Sequence, residues 1–228
     1  MIYLIPTHLG NADTAILPAQ IKNVLENCEV IFSENLKTTR HFLKAISVKK
    51  KIDDFEWHVL TKDSTPDELQ QFLKITTTKT CGIISEAGVP AIADPGAALI
   101  KLAHQKNIKV IPLVGPSSVL MALMASGMNG QSFAFTGYLP IDKNERNKKI
   151  KHLELLTIKE NQPQIFIETP YRNNQLLQDL ISFCMPNTLL CIAADITLPS
   201  EFIQTKKIID WKNNIPDLNK RPAVFIIG

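Results

Sequence analysis

Two patterns of hydrophobic and polar positions alternate along the first half of the chain. Short apolar runs, typical of buried strands, are separated by longer stretches whose apolar residues recur at helical spacing. The pattern predicts strands at residues 2–6, 29–33, 81–84 and 109–114, and helices over about 15–26, through 42–44, over 65–75 and 97–105, and through 120–123. Asp13 or Thr14 can cap the first helix, and Asp94 and Pro95 fit the N-cap and first position of the fourth. This alternation favours a mostly parallel α/β sheet.

The second half has a different pattern, in which strands follow one another with fewer helices between them. Predicted strands lie at residues 132–136, 164–168, 189–194, 201–205 and 223–227, and predicted helices at 143–158, 173–183 and 207–211. Strands joined by short connections favour antiparallel pairing. We therefore predict two α/β domains, residues 1–114 with a mostly parallel sheet and residues 115–228 with a mixed sheet.

Glycine and proline interrupt the chain in three loops near the ends of predicted strands. Seven of the nine glycines lie within residues 82–137, and the loops occupy residues 85–90, 93–96 and 115–118. The carboxyl ends of parallel strands meet at one edge of a sheet, where ligands bind in α/β proteins. Acidic residues at 86 and 94 and hydroxyls at 85, 117 and 118 make these loops the candidate ligand site.

Composition narrows the class of protein. The 228 residues are 45% hydrophobic with a mean hydropathy of +0.02, enough to bury a full core. No apolar run approaches the ~18 residues of a membrane helix, and the start lacks the basic segment of a signal peptide, so we expect a cytoplasmic protein. The four cysteines show no CxxC spacing, so we expect buried thiols and no metal.

The P-loop, GxGxxG and GxSxG motifs are absent, which disfavours P-loop NTPases, dinucleotide-binding proteins and serine hydrolases.

A long central motif makes the chain similar to a known family. Residues 85–96, SEAGVPAIADPG, resemble the S-D-A-G-T-P-x-I-x-D-P-G signature of the tetrapyrrole (corrin/porphyrin) methylase superfamily, the class III S-adenosylmethionine-dependent methyltransferases. Further segments resemble that family in the same order: LGNAD at 9–13, VGPSS at 114–118, FTGYLP at 135–140 and ETPYR at 168–172. The combination is most similar to the branch that methylates a cytidine ribose 2′-hydroxyl of small-subunit ribosomal RNA. The chain departs from that branch in having ENLK at 34–37 in place of E-D-T-R, Glu86 in place of Asp, and no C-terminal extension after Gly228.

The resemblance implies two αβα domains with S-adenosylmethionine bound in the cleft between them, largely through backbone atoms. At the matching positions it implies cofactor contacts from Gly88, Val89, Pro90, Asp94, Ser117, Ser118, Ala193, Pro222 and Ala223. The sulfonium of this cofactor is cationic, so carbonyl and carboxylate oxygens stabilise it.

A ribose hydroxyl is a weak acid, so its methylation gains from a general base. The candidate bases are Glu34, Glu86, Asp94 and Glu168. We favour Glu86 because it stands in the loop with the longest motif. Each of these acids also has a structural interpretation, as a helix cap, a turn former or a strand-end residue.

Basic side chains gather on two predicted helices and one turn. The candidate RNA contacts are Lys37, Arg40, Lys44, Lys143, Arg146, Tyr171 and Arg172. Two basic helices favour a phosphate-rich partner, so we expect ribosomal RNA or the small ribosomal subunit, and the resemblance implies a homodimer. Among the histidines, only His8, beside Gly10, merits a test.

Two alternatives stay open at this point. One is a methylase of a corrinoid or precorrin, whose carboxylates also suit basic helices. The other is a ribosome-associated protein that binds S-adenosylmethionine with degenerate catalysis, which the altered residues 34–37 favour.

Overall fold

The computed structural model describes residues 1–10 and 14–228. Most of the turn predicted over residues 9–13, and the helix cap predicted at Asp13, therefore lie outside the described residues. The chain divides into two compact units, Met1–Ser117 and Ser118–Gly228, where the sequence predicts a boundary after residue 114. Each unit has its own sheet and its own buried apolar core.

Unit 1 is built on a five-stranded, fully parallel sheet in the order β3-β2-β4-β1-β5. Its strands are β1 (Ile2–Ile5), β2 (Val30–Ser33), β3 (Glu56–Val59), β4 (Cys81–Ile84) and β5 (Val110–Pro112). Its α-helices are α1 (Gln20–Asn27), α2 (Leu36–Ala45), α3 (Pro66–Thr78) and α4 (Ala97–Gln105), with short 3₁₀ helices at Thr14–Ile16 and Ile52–Asp54. The predicted parallel α/β sheet is confirmed.

Burial explains why the hydrophobic pattern predicted the central strands. Every residue of β2 and β4 is buried. Phe32 and Ile83 belong to one apolar cluster of unit 1, whereas their neighbours Ile31 and Ile84 belong to the other. Successive side chains of a strand point to opposite faces, so a central parallel strand needs an unbroken apolar run. The edge strand β3 has no such run, and the sequence pattern missed it.

The α4 helix has the predicted bounds, 97–105, but its N-cap differs from the prediction. The helix begins at Ala97 and follows Gly96, whose φ is +123°. Asp94 is therefore not the N-cap, and Pro95 is not the first helical residue. Ala91 and Ala93 also adopt the left-handed region, with φ of +67° and +60°. This conformation costs alanine about 1–2 kcal/mol, and such strain is typical of functional loops.

Unit 2 has a mixed five-stranded sheet in the order β6-β7-β10-β8-β9. Only β6 and β7 are parallel, and the other pairs are antiparallel. The strands are β6 (Ala134–Tyr138), β7 (Gln164–Ile167), β8 (Leu189–Ala194), β9 (Phe202–Lys207) and β10 (Ala223–Ile227). The helices are α5 (Ser118–Ser126), α6 (Lys143–Glu160), α7 (Asn173–Phe183) and α8 (Ile208–Trp211). The more antiparallel character predicted for the second half is confirmed.

The cysteines are structural thiols. All four are free and buried, and burial raises the pKa of the Cys28, Cys81 and Cys184 thiols to about 12. Thiols that stay protonated at neutral pH are poor nucleophiles and poor metal ligands. Across residues 1–10 and 14–228, the structure contains no group of three or more His, Cys, Asp or Glu side chains arranged to hold a metal ion. No helix in this part of the chain is long and apolar enough to span a bilayer.

Candidate functional site

The loops that follow β1, β4 and β5 contact one another around Gly88. The Thr7 N–H donates to the Gly88 carbonyl at 2.9 Å, and the Gly88 N–H donates to the His8 carbonyl at 3.4 Å. Gly88 has φ +71°, and a Cβ at this position would lie 3.1 Å from Leu9 Cδ2 and 3.2 Å from the Pro116 carbonyl oxygen. Only glycine fits both the backbone angle and this close approach.

Two further contacts hold the same loops together. The Ser85 hydroxyl donates to the Gly88 carbonyl at 3.2 Å. A Cβ on Gly115 would lie 2.2 Å from Pro6 Cβ, so the chain after β5 passes directly against the end of β1. The structure thus brings together the strand-end loops at 85–90 and 115–118, as predicted, and adds the segment at 6–9.

Three carboxyl groups lie in the electrostatic range of one another at this edge of the sheet. Burial first, and then the charges of Glu34 and Glu86, raise the pKa of Asp94 from its ordinary value of 3.8 to about 6. Burial first, and then Glu86, raise the pKa of Glu34, against an opposing effect of Lys62. Glu86 itself is exposed. Carboxyl groups whose pKa values are raised by burial and by a like charge are typical of catalytic sites.

Thr38 ties one of these acids to the first turn of α2. Its hydroxyl lies 3.4 Å from Glu86 Oε1 and also donates to the Asn35 carbonyl at 3.0 Å. The Asn35 side chain caps α2 by accepting from the N–H groups of Lys37 and Thr38. The helix that follows β2 therefore positions the acid that follows β4.

Asp94→Asn should stabilise unit 1 at neutral pH. Because the folded-state pKa of Asp94 lies above its ordinary value, the folded state holds a proton that the unfolded chain releases, and ionisation opposes folding as pH rises from about 4 to above 6. Water screens the partly exposed Asp94 carboxyl. We therefore expect Asp94→Asn to raise the free energy of unfolding by about 1 kcal/mol above pH 7. Thermal unfolding at pH 7.5 and pH 4 measures it.

The control for this variant is Asp63→Asn, at an exposed position of the same unit. The Asp94→Asn gain should be much smaller near pH 4, where the wild-type carboxyl is protonated in the folded state and partly protonated in the unfolded chain. An equal gain at both pH values, or the same gain in the control, would contradict the assignment.

The predicted cofactor residues of unit 2 lie at the ends of β8 and β10. Ala193 is fully buried in β8, opposite Val224 and Ile203 of the neighbouring strands. Pro222 is exposed, and its carbonyl accepts the Asp195 N–H at 2.9 Å. Pro222 is thus accessible to a ligand, whereas the Ala193 side chain is packed inside the sheet.

An ion pair that the sequence did not reveal joins these two strand ends. Arg221 Nε lies 2.7 Å from Asp195 Oδ2, and the same carboxylate accepts the Ser200 hydroxyl at 2.9 Å. Arg221 Nη2 also donates to the Ser200 carbonyl at 2.8 Å. The pair fixes the segments before Pro222 and after Ala194. An aspartate and an arginine 26 residues apart carry no local signal, so the pattern could not indicate it.

Glu168 is held in an ion pair at the end of β7. Its carboxyl is buried, and Oε1 accepts the Arg172 guanidinium at 2.6 Å and the Thr169 N–H at 2.6 Å. Tyr171, between them, is exposed. These bonds give Glu168 and Arg172 a role in shaping the turn at 168–172, in addition to the catalytic and RNA-binding roles predicted for them.

The prediction for Arg146 was wrong. Its side chain is only 6% exposed and forms an ion pair with Asp179 at 2.6 Å. The guanidinium also donates to the carbonyls of Pro140 and Ile141. Arg146 shares the buried face of α6 with Ile150, so helical periodicity turns it inward although its charged neighbours lie outside. It is a structural residue and cannot contact RNA.

The other predicted basic residues are on the surface of their own units. Lys37, Arg40 and Lys44 are exposed along α2, and Lys143 is exposed at the start of α6. The Arg40 guanidinium lies 5.3 Å from the centre of the Trp57 ring, a cation–π contact that fixes its position.

No protein-family model matches the chain. Curated relatives do match it: ribosomal RNA small subunit methyltransferase I of Buchnera aphidicola subsp. Schizaphis graminum is 32% identical over 232 residues, covering 100% of this chain and 77% of the relative. The protein of the same name from Vibrio cholerae serotype O1 is 31% identical, covering 100% of this chain and 76% of the relative.

Two solved structures share the fold at low sequence identity. The methyltransferase CobJ superposes with a TM-score of 0.65 at 15% identity, over 100% of this chain and 93% of that chain. Uroporphyrin-III-C-methyltransferase from Thermus thermophilus gives 0.57 at 16% identity, with the same coverage. The fold is that of the tetrapyrrole methylases, and the level of identity and coverage shows that the chain belongs to the ribosomal RNA small subunit methyltransferase I family of methyltransferases.

Proposed function

We propose that this protein transfers a methyl group from S-adenosylmethionine to a ribose 2′-hydroxyl of small-subunit ribosomal RNA. The names of the curated relatives support the ribosomal RNA substrate. The observation that carries the proposal is the convergence of Glu34, Glu86 and Asp94 beside the Gly88 loop. Carboxylates at this place suit both a cationic methyl donor and the removal of a hydroxyl proton.

The residues around Gly88 fit the cofactor that the family implies. Gly88 lets the loop after β4 pack closely against Leu9 and Pro116. Next to it, Val89 offers an N–H and a carbonyl, and Pro90 offers a carbonyl. The Asp94 carboxyl lies nearby, and a cation would favour its ionised form. Gly88, Val89, Pro90, Asp94 and Ser117 of unit 1 would hold the cofactor. The cofactor contacts expected of Ser118, Ala193, Pro222 and Ala223 stay a prediction. When bound, S-adenosylmethionine supplies an electrophilic methyl group on a sulfonium.

Glu86 would act as the general base. It is exposed, so a substrate hydroxyl can reach it, and Thr38 restrains its carboxyl. Glu86 would accept the proton that the ribose hydroxyl loses on methylation. Glu34 and Asp94 lie within electrostatic range of it.

The α2 helix would bind the RNA backbone. Lys37, Arg40 and Lys44 are exposed on it. Lys37 directly precedes Thr38, whose hydroxyl contacts Glu86. In unit 2, Lys143, Tyr171 and Arg172 would add contacts. A ribosomal substrate also supports the expected cytoplasmic location. The expected homodimer stays a prediction, which sedimentation velocity tests.

Lys37→Ala should weaken RNA binding uniformly across sequences and lower its salt dependence. A lost phosphate contact reduces the slope of log affinity against log salt by about 1. Binding of labelled RNA between 50 and 200 mM salt measures the slope. Lys101→Ala, at an exposed position on α4, is the matched control. A wild-type affinity that hardly changes with salt would argue against RNA binding, and equal slopes in wild type and Lys37→Ala would remove Lys37 from the interface.

The deciding experiment follows tritiated methyl transfer from S-adenosylmethionine to small ribosomal subunits isolated from cells that lack this protein. We expect incorporation into the RNA at a nucleotide whose 3′-phosphodiester resists alkaline hydrolysis, because a methylated 2′-oxygen cannot attack it. Label in an alkali-sensitive nucleotide would show that the methyl group is attached to a nucleobase and not to the ribose. Transfer to a precorrin but not to RNA would support the corrinoid alternative, and cofactor binding without transfer to either would support degenerate catalysis.

A further inference from the structure

A groove crosses the carboxyl edge of the unit 1 sheet beside the Gly88 loop. Its volume is about 740 Å³, within the range of small-ligand sites. The segment after β1, the length of α2 from Lys37 to Ala45 and the start of the loop after β4 form its walls. The lining residues that matter here are His8, Lys37, Thr38, His41, Phe42 and Glu86.

His8 contributes an unused polar atom to this groove. Its ring is half-buried, and its Nδ1 is fully buried without a hydrogen-bond partner among the residues that the structure describes. Rotation about the Cβ–Cγ bond exchanges Nδ1 with Cδ2, so the nitrogen can be presented on either side of the ring. Buried polar atoms are nearly always paired, so an orphaned nitrogen in the wall of a groove indicates a ligand that pairs with it.

The other groups in the groove match the parts of a nucleotide. The half-buried His8 ring stands edge-on to the buried Phe42 ring, with centroids 5.9 Å apart and planes at 67°, and a partly exposed aromatic ring of this kind accepts an unstacked base. Lys37 and His41, one helical turn apart on the exposed face of α2, suit a phosphate. Thr38 and Glu86 offer a hydroxyl and a carboxylate for the ribose.

We infer, resting on the proposed function, that this groove binds the acceptor nucleotide of the RNA as an unpaired residue, with His8 as the hydrogen-bonding group for its base. The backbone of Thr7 and His8 is bonded on both sides to Gly88. A nucleotide in the groove therefore lies beside the loop assigned to the cofactor, and its ribose lies beside Glu86. Unpaired nucleotides taken out of the stack are the usual substrates for enzymes that modify RNA or DNA.

The test compares His8→Phe with His8→Asn in methyl transfer to unmodified small subunits. Phenylalanine keeps the ring and its contact with Phe42 but removes both nitrogens. Asparagine places a polar atom near the position of Nδ1. For His8→Phe we expect KM for the subunits to rise about tenfold, with kcat and the Kd for S-adenosylmethionine within about twofold of wild type. His8→Asn should recover most of the loss, and His104→Phe, at an exposed position on α4, should behave as wild type.

Several outcomes would overturn this inference. They are an unchanged KM in His8→Phe, an equal rise in the phenylalanine and asparagine variants, or an effect confined to kcat. If wild-type protein transfers no methyl group, the proposed function fails, and the Kd for a short fluorescein-labelled single-stranded RNA tests the groove separately. Equal RNA affinity in wild type and His8→Phe, or displacement of that RNA by uroporphyrin III at similar concentration, would then exclude a nucleotide site.

Discussion

Glu86→Gln should lose methyl transfer by about 100-fold or more while binding S-adenosylmethionine as tightly as the wild type. A positioned general base contributes roughly 10²–10⁴-fold, and the amide cannot accept the proton of the ribose hydroxyl. Glutamine keeps an acceptor oxygen for the Thr38 hydroxyl, which lies 3.4 Å from Glu86 Oε1. The side chain is exposed, so the fold should tolerate the change. Single-turnover transfer to small subunits measures the rate, and isothermal titration measures the affinity.

Glu34→Gln is the matched comparison, because it removes a half-buried carboxyl of the same cluster. We expect it to lower the rate by less than tenfold, since it changes only the electrostatic surroundings of the base. Glu86→Asp should retain part of the activity, because it keeps a carboxylate. If Glu34→Gln abolishes transfer and Glu86→Gln does not, Glu34 is the base. If neither variant loses activity, Glu86 and Glu34 are both excluded as the base.

Elements buried on both faces were the most predictable part of the fold. The bounds of α7, β8 and β10 match the prediction at both ends. In β8 and β10 the cause is burial, since almost every residue of these strands is inaccessible to solvent. In the edge strand β3, Glu56 bonds to His58 and Lys79, and a polar segment that pairs on one side only has no apolar signature.

The sequence indicated which loops form the candidate site, but not which side chains meet there. Glycine and proline spacing indicated the loops at 85–90 and 115–118, because those residues change backbone geometry wherever they occur. The contribution of His8 and Thr38 comes from contacts between β1, α2 and the loop after β4, which depend on strand order. Local patterns do not determine that order. Asp94 shows the same limit, because the sequence pattern made it a helix cap, whereas Gly96, with φ +123°, takes the N-cap position of α4.

Charge clusters were the least reliable guide. A run of lysines and arginines on α6 predicted one basic face, yet Arg146 turns into the core to pair with Asp179. Hydrophobic periodicity alone could have warned of this, since Arg146 lies four residues before the buried Ile150. A charge should therefore be assigned to an interface only after its position on the helix has been compared with that of the apolar residues.

Gly88→Ala should destabilise unit 1 and weaken cofactor binding together. Alanine at φ +71° costs about 1–2 kcal/mol. Its Cβ would also press on Leu9 Cδ2 at 3.1 Å and the Pro116 carbonyl at 3.2 Å, and overpacking of this kind adds about 1–3 kcal/mol. We expect a total loss near 3 kcal/mol in the free energy of unfolding. Because the added Cβ would displace the loop assigned to the cofactor, the Kd for S-adenosylmethionine should rise at least tenfold.

Gly127→Ala separates the two causes of that loss. Gly127 has φ +72°, almost the same as Gly88, but a Cβ there would meet no atom within 4 Å. This control should lose only the backbone contribution, about 1–2 kcal/mol, with cofactor affinity unchanged. Urea unfolding gives both free energies, and titration at low temperature, where each variant is folded, gives the affinities. A cofactor Kd unaffected by Gly88→Ala would show that the crowding around Gly88 serves loop packing alone and that the cofactor is held elsewhere.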